Sequence, residues 1–175
     1  DYDKYENFLV SFFGRANYTL LNRYYLTVTV RDDGSSRFAD HWGLFPSYAF
    51  AWRVNEEGFL KNVKWLSNLK LRLGYGKTGQ QEGISNYIWF KQYKKGQNFG
   101  KYPVIGDGSI YTPLYYNDKL KWETTETYNA GLDFGFLDNR LNGTIDVYKR
   151  KTKDLINDAP VAALAGSADK GLQNI

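Results

Sequence analysis

Apolar and polar residues alternate with a period of two along six stretches of this chain, while the 3.6-residue period of an amphipathic helix is nearly absent. The alternation predicts a first strand from Phe8 to Leu20, with Phe12, Ala16, Tyr18 and Leu20 on one face and Ser11, Arg15, Asn17 and Thr19 on the other. A second, Tyr24 to Asp32, sets Leu26, Val28 and Val30 against Thr27, Thr29 and Arg31. The third, Leu44 to Asn55, opposes Tyr48, Phe50, Trp52 and Val54 to Ser47, Ala49, Ala51 and Arg53. Leu69 to Lys77 forms the fourth, with Leu69, Leu71, Leu73 and Tyr75 facing away from Lys70, Arg72, Gly74 and Gly76. The fifth, Thr127 to Phe136, turns Tyr128, Ala130, Leu132, Phe134 and Phe136 from Asn129, Gly131 and Asp133; the sixth, Leu141 to Lys151, turns Leu141, Ile145 and Val147 from Thr144, Asp146, Tyr148 and Arg150.

The connections add direction. They are short at Leu21 to Arg23, medium at Asp33 to Gly43, a helical turn at Glu56 to Asn68, very long at Thr78 to Glu126, and short at Leu137 to Arg140. With strands running alternately up and down, the two tight turns and the helical turn fall at one end and both long loops at the other. A structureless connection of about fifty residues is rare in a compact soluble domain, whereas membrane β-barrels pair short turns on one side with long loops on the other. Strands of about nine to twelve residues suit a tilted span. A soluble β-sandwich alternates in the same way, so that architecture stands beside the barrel at this stage, and the loop asymmetry favours the barrel. About eight strands is the smallest membrane barrel, and open edges in lipid leave backbone groups unsatisfied. Six strands are therefore expected to be part of a larger protein. The lack of Met and the end at Gln173-Asn174-Ile175 read the same way.

Composition narrows the chemistry. Zero Cys excludes disulfides, thiolate zinc sites and a thiol nucleophile, and His41 is the single histidine. No stretch approaches the ~20 apolar residues of a membrane helix, and no apolar signal region follows the charged first residues. The net charge of +4 is mild, and the longest basic run is Lys149-Arg150-Lys151, which argues little for nucleic acid.

Several motifs imitate chemistry without its context. Gly74-Tyr75-Gly76-Lys77-Thr78-Gly79 spells a dinucleotide fingerprint after a strand, yet no helix pattern follows it, and Leu71 takes the place of the first Gly of a phosphate loop. Asp32-Asp33-Gly34-Ser35-Ser36 lacks the remaining ligands of a calcium loop and reads as a polar hairpin with Gly34 supplying the turn. Glu56-Glu57 and the Glu123/Glu126 pair have nothing to place them in a pocket, and the sequons at Asn17 and Asn142 fall inside strands. No catalytic residue, metal site or cofactor is expected, and an enzyme such as a glycosidase fragment finds no positioned acid/base pair.

The long connection is different. Tyr87, Trp89, Phe90, Tyr93, Phe99, Tyr102, Tyr111, Tyr115 and Tyr116 crowd a segment rich in Gly, Asn, Gln and Lys. Flat rings beside hydrogen-bonding groups suit a sugar or a peptide, each with apolar and polar faces; packing of the loop on itself or on a partner is the alternative. Tyr87, Trp89, Tyr93, Tyr111 and Tyr115 are the candidate ligand contacts.

The segment Arg31-Asp32-Asp33-Gly34-Ser35-Ser36-Arg37-Phe38 resembles the signature of the SusC/RagA-type TonB-linked outer-membrane transporters of Bacteroidetes. Further blocks follow in the same order: Phe45-Pro46-Ser47, Trp52-Arg53, Leu66-Ser67-Asn68-Leu69-Lys70-Leu71-Arg72, Gly76-Lys77-Thr78-Gly79-Gln80 and Leu120-Lys121-Trp122-Glu123-Thr124-Thr125. Tyr128-Asn129-Ala130-Gly131-Leu132-Asp133-Phe134, Asp146-Val147-Tyr148 and Lys151-Thr152-Lys153-Asp154-Leu155 complete the likeness, which spares only the centre of the long loop.

The resemblance implies an all-β fold: an antiparallel transmembrane β-barrel segment of about six strands from a larger barrel, typically of ~22, with long extracellular loops. Residues 1–175 would be part of one TonB-dependent receptor β-barrel domain, with the family's plug, amino-terminal extension and TonB-contacting segment absent from them. It further implies a place in the bacterial outer membrane and import of a glycan oligosaccharide or a peptide, energised by TonB and assisted by a SusD-like surface lipoprotein. The other reading of the residues is a soluble or secreted glycan-binding β-domain that uses the aromatic loop 87–116 and closes its apolar faces into a core.

Overall fold

The computed structural model describes residues 6–95, 102–103, 110–160 and 170–175. Six long strands form one antiparallel sheet: β1 (Leu9–Leu20), β2 (Tyr24–Ser35), β3 (Trp42–Arg53), β4 (Leu66–Gln80), β8 (Glu123–Phe136) and β9 (Leu141–Lys153), in that spatial order. All six predicted strands are present, most of them extended at the loop end. Between β4 and β8 the long connection carries a small sheet of β5 (Tyr93–Lys95), β6 (Tyr102–Pro103) and β7 (Ile110–Pro113), ordered β5-β7-β6. Beyond β9, β10 (Ile156–Pro160) pairs with β11 (Lys170–Asn174).

Two local expectations are corrected. The helical turn shrinks to a single 3₁₀ turn, Val54–Glu56, followed by non-helical turns. Glu57 is drawn back to the sheet instead, accepting hydrogen bonds from the Tyr24 hydroxyl at 2.5 Å and Trp52 Nε1 at 3.1 Å. Gly34 does not turn the chain. It lies within β2 opposite Trp42, and its missing side chain makes room for that indole, which a Cβ would approach to 3.0 Å. The turn itself lies at residues 36–41.

The tight turns use left-handed backbone. Leu21 and Asn22 (φ 52° each) close β1 onto β2, and Leu137, Asp138 and Asn139 (φ 52–59°) close β8 onto β9. The loops hold three residues (21–23) and four (137–140) between the last paired residues of each hairpin, and left-handed backbone lets so short a loop reverse the chain.

Register then assigns the faces. Val28 pairs with Ala16 and Tyr48, Tyr48 with Tyr75, and Tyr75 with Tyr128, so the apolar residues of neighbouring strands share one side. That side stays open: Phe12, Tyr18, Tyr48, Tyr128, Ile145 and Val147 are all exposed. Among the described residues no second layer covers it, which contradicts the closed core required of a soluble β-domain.

Aromatic rings mark both margins of the apolar face. Toward the loops, Tyr75 stands 6.0 Å from Tyr48 and 5.0 Å from Tyr128. Toward the turns, Tyr24 stacks with Trp52 at 6.1 Å and Trp65 with Phe136 at 5.6 Å. The eight steps from Tyr128 to Phe136 cover about 27 Å of strand. Tilted by about 40°, that strand spans roughly 21 Å of membrane height, close to the ~25 Å apolar band of an outer-membrane barrel between its aromatic girdles.

Candidate functional site

The buried core lies at the loop end of the sheet rather than across its faces. β3 and β4 pair only from Ser47–Gly76 to Arg53–Lys70; beyond Ser47 the two strands part, β3 following β2 and β4 following β8. Phe38, Phe45, Ile84, Leu120 and Trp122 form one buried cluster there. Phe38 and Phe45 flank the Trp122 indole, stacked at 4.7 Å and edge-on at 5.5 Å. The Phe45 ring occupies the space a Gly79 side chain would need. This use of Gly79 shows the apparent dinucleotide motif to be the end of a membrane strand packed under an aromatic ring.

The Arg31-to-Phe38 signature supplies the polar half of that junction. Arg31 pairs with the buried Asp33 at 2.8 Å. Ser35 Oγ donates to Gln81 Oε1 at 2.5 Å, and Arg37 donates to Gln81 O at 3.1 Å and to Asn86 Oδ1 at 3.1 Å. The β2–β3 connection thus grips the first residues of the long one.

The five candidate ligand rings take different parts. Trp89 Nε1 donates to Ser36 O at 2.9 Å, and its ring meets His41 edge-on at 5.9 Å. The Tyr115 hydroxyl donates to Leu172 O at 3.1 Å while its ring occupies the space above Gly171. Both residues fasten the loop, one to the β2–β3 connection and the other to β11. Tyr87 is exposed and accepts the Glu6 backbone N–H at 3.4 Å. Tyr93 is exposed and pairs with Pro113, and Tyr111 pairs through its backbone with Lys95 and Tyr102. Trp89 and Tyr115 are thus anchored on different elements, and the side chain of Tyr111 and all of Phe99 lie outside the described residues.

The polar strand face set apart by alternation carries a second surface, for which the sequence named no ligand residues. On the polar face, Thr78, Gln80, Glu123, Thr125, Thr127, Arg150 and Thr152 line an open hollow of about 480 Å³. Thr125 and Thr152 share a hydrogen bond of 3.0 Å, and Glu123 Oε2 accepts the Ile156 N–H at 3.1 Å. The signal was threonine at alternate positions of β8, which strand propensity alone also explains. Nearer the turns, Arg72 makes two hydrogen bonds of 2.9 Å to Asp133 and one of 3.1 Å to Asp146, with Thr144 donating to Asp133 at 3.0 Å. This surface can bind hydroxyls, amides and charge. At the turn end, the Glu57 carboxyl is held below the usual carboxylate range, first by the Tyr24 hydroxyl and then by the Trp52 indole N–H, with Arg23 assisting.

Comparison with known proteins agrees with this geometry. The family model "TonB dependent receptor-like, beta-barrel" matches residues 1–175. The chain is 50% identical over 173 residues to the TonB-dependent receptor SusC of Bacteroides thetaiotaomicron, covering 97% of this chain and 17% of that protein. It is 39% identical over 176 residues to TonB-dependent receptor P3 of Formosa agariphila, again covering 97% of this chain and 17% of the relative. Among solved structures, the RagAB peptide importer in its open-open state matches with a TM-score of 0.81 and 30% identity, over 95% of this chain and 18% of that one. The chain thus spans about a sixth of the length of the relatives it matches. A one-layer sheet with an aromatic-bordered apolar face, a polar inner face and long loops at one end is what an outer-membrane barrel wall requires, and this chain belongs to the TonB-dependent receptor β-barrel family of the bacterial outer membrane.

Proposed function

We propose that residues 1–175 form part of the barrel domain of a TonB-energised importer that carries a large nutrient, a glycan oligosaccharide or a peptide, across the outer membrane. The observation that carries this reading is the polar inner face, whose threonine-lined hollow includes Gln80 and Glu123, the strand ends between which the long aromatic connection runs. A chamber of hydroxyl, amide and guanidinium groups suits an oligomer with repeated hydrogen-bonding groups, and TonB-linked import of such oligomers needs no covalent chemistry. We assign the plug and the TonB-contacting segment to the remainder of the longer protein. A SusD-like surface lipoprotein covers the loop end, where Tyr87, Trp89, Tyr93, Tyr111 and Tyr115 would contribute to ligand or lid contact. The full-length transporter, deleted and then restored, should determine growth on one class of polymer. Loss of growth on defined oligosaccharides with peptide use intact assigns a glycan importer, and the reverse assigns a peptide importer. Growth on both unaffected by the deletion refutes import. In the restored strain, Thr127→Val with Arg150→Ala is expected to lower uptake several-fold while surface abundance stays constant.

A further inference from the structure

Of the basic run Lys149-Arg150-Lys151, the import reading uses Arg150 alone, and register gives its two neighbours a different place. Strand alternation puts Arg150 on the inner face and Lys149, Lys151 and Lys153 together on the outer, apolar face, in steps of about 7 Å toward the loops. Across the ladder, Lys149 is opposite Tyr128, Lys151 opposite Glu126, and Lys77 of β4 flanks Glu126 from the other side. The four lysines therefore begin at the level of the Tyr48–Tyr75–Tyr128 girdle and rise above it. Lys153 is held by Glu126 at 2.7 Å; among the described residues, Lys77, Lys149 and Lys151 have no ion pair. Asp40 and Asp154 line one hollow with Lys77 and Lys121, so five cations stand against three carboxylates and a local excess of two positive charges remains. The turn-end margin of the same face is Tyr24, Trp52, Phe134, Phe136 and Leu141, with no lysine.

A lysine at the water interface can extend its ammonium past the apolar band, but that applies equally at both margins. On the strands themselves lysine occupies only the loop margin of this face, Lys61 and Lys64 lying in the turn-end connection between β3 and β4, and that placement points to an asymmetric environment. The leaflet at the loop margin of an outer-membrane barrel carries phosphorylated glycolipid, whose anionic groups lie at the height of these ammoniums. We propose that Lys77, Lys149 and Lys151, with Lys153 set by Glu126, form a strip on the outside of the barrel that binds the phosphate groups of outer-leaflet lipopolysaccharide. Tyr75 and Tyr128 lie under the sugar–acyl boundary of that lipid, and Glu126 spaces the cations.

The test uses the full-length transporter extracted from outer membranes in mild detergent, with co-purifying lipopolysaccharide quantified by phosphate analysis and mass spectrometry. Juxtamembrane lysines each contribute several-fold to anionic-lipid binding, so Lys77→Gln/Lys149→Gln/Lys151→Gln is expected to lower bound lipopolysaccharide about tenfold or more. The same three changed to Arg should retain it. A control removing three turn-end cations, Lys61→Gln/Lys64→Gln/Arg140→Gln, should have no effect. Retention by the Gln variant, or equal loss in the control, overturns the proposal. A measurement on the wild type needs no variant to fold: delipidated protein should rebind lipopolysaccharide and not its enzymatically dephosphorylated form. Equal rebinding of the two, or displacement by millimolar inorganic phosphate alone, would reduce the strip to a general apolar or free-anion surface and overturn the lipid assignment.

Discussion

The indole of Trp122 lies 4.7 Å from the ring of Phe38, centroid to centroid, in a stacked pair buried at the loop end of the sheet. Phe38 belongs to the connection between β2 and β3, and Trp122 is the last residue before β8. Their contact ties the exit of the long loop to the β2–β3 connection, whose Arg37 grips its entrance. The loop is closed at its base although its two ends belong to different strands.

Removal of that contact should loosen the loop without opening the barrel. Trp122→Ala deletes a large buried aromatic, a change that typically costs about 3–5 kcal/mol. We expect faster proteolysis within residues 81–121 on intact cells, with unheated gel mobility of the full-length barrel unchanged. Unaltered proteolysis would mean that the loop is held elsewhere.

Neighbouring residues of β9 should respond oppositely to charge. Val147 and Tyr148 are equally exposed, at 67% and 68%, but Val147 pairs with Ala130 on the apolar face and Tyr148 with Asn129 on the polar one. An arginine in mid-membrane on the lipid side costs about 2–4 kcal/mol. Val147→Arg should therefore lower the yield and denaturation midpoint of the membrane-inserted protein, and Tyr148→Arg should leave both nearly unchanged. Equal effects would contradict the assignment of faces.

The Arg72–Asp133 pair should couple measurably. Its geometry is two-pronged and its side chains are only partly exposed, at 35% and 24%. Charge-assisted bonds of this kind contribute more than a single surface ion pair. A double-mutant cycle of Arg72→Ala and Asp133→Ala in the full-length protein should give a coupling of about 1–2 kcal/mol. Asp146 would retain part of the attraction for Arg72 in the Asp133 variant.

Stability should depend on pH through Glu57. Its carboxyl titrates below the ordinary value of 4.5 because the ionised form accepts hydrogen bonds from Tyr24 and Trp52. The group's stabilisation is thus complete above that value and is lost as pH falls through the lower, folded-state value. Glu57→Gln should melt below wild type at pH 7, with the difference narrowing only under more acidic conditions. A gap that persists undiminished to pH 3 would show that the carboxyl's ionisation contributes nothing.

The sheet was legible in the amino-acid order because strand periodicity is local: each residue of Leu141–Lys153 declares its face by parity alone. The same parity set Lys149, Lys151 and Lys153 on one side and Arg150 on the other, although the run reads as a single basic block. The resemblance blocks identified the family for a related reason, since residues such as Asp33, Ser35 and Phe38 are fixed by burial. What the order of residues could not specify was where β3 and β4 separate, because that is decided by packing between segments far apart in sequence. Only in the fold does Phe45 cover Gly79, Trp122 fill the wedge beside Phe38, and Trp89 become an anchor on Ser36 rather than a free ring. The helical turn failed likewise: Tyr24 and Trp52, brought together by strand pairing, hold Glu57 more favourably than a short isolated helix could. Periodicity determined which side of the sheet each residue faces, and long-range contacts decided which of those residues were left free to meet a ligand.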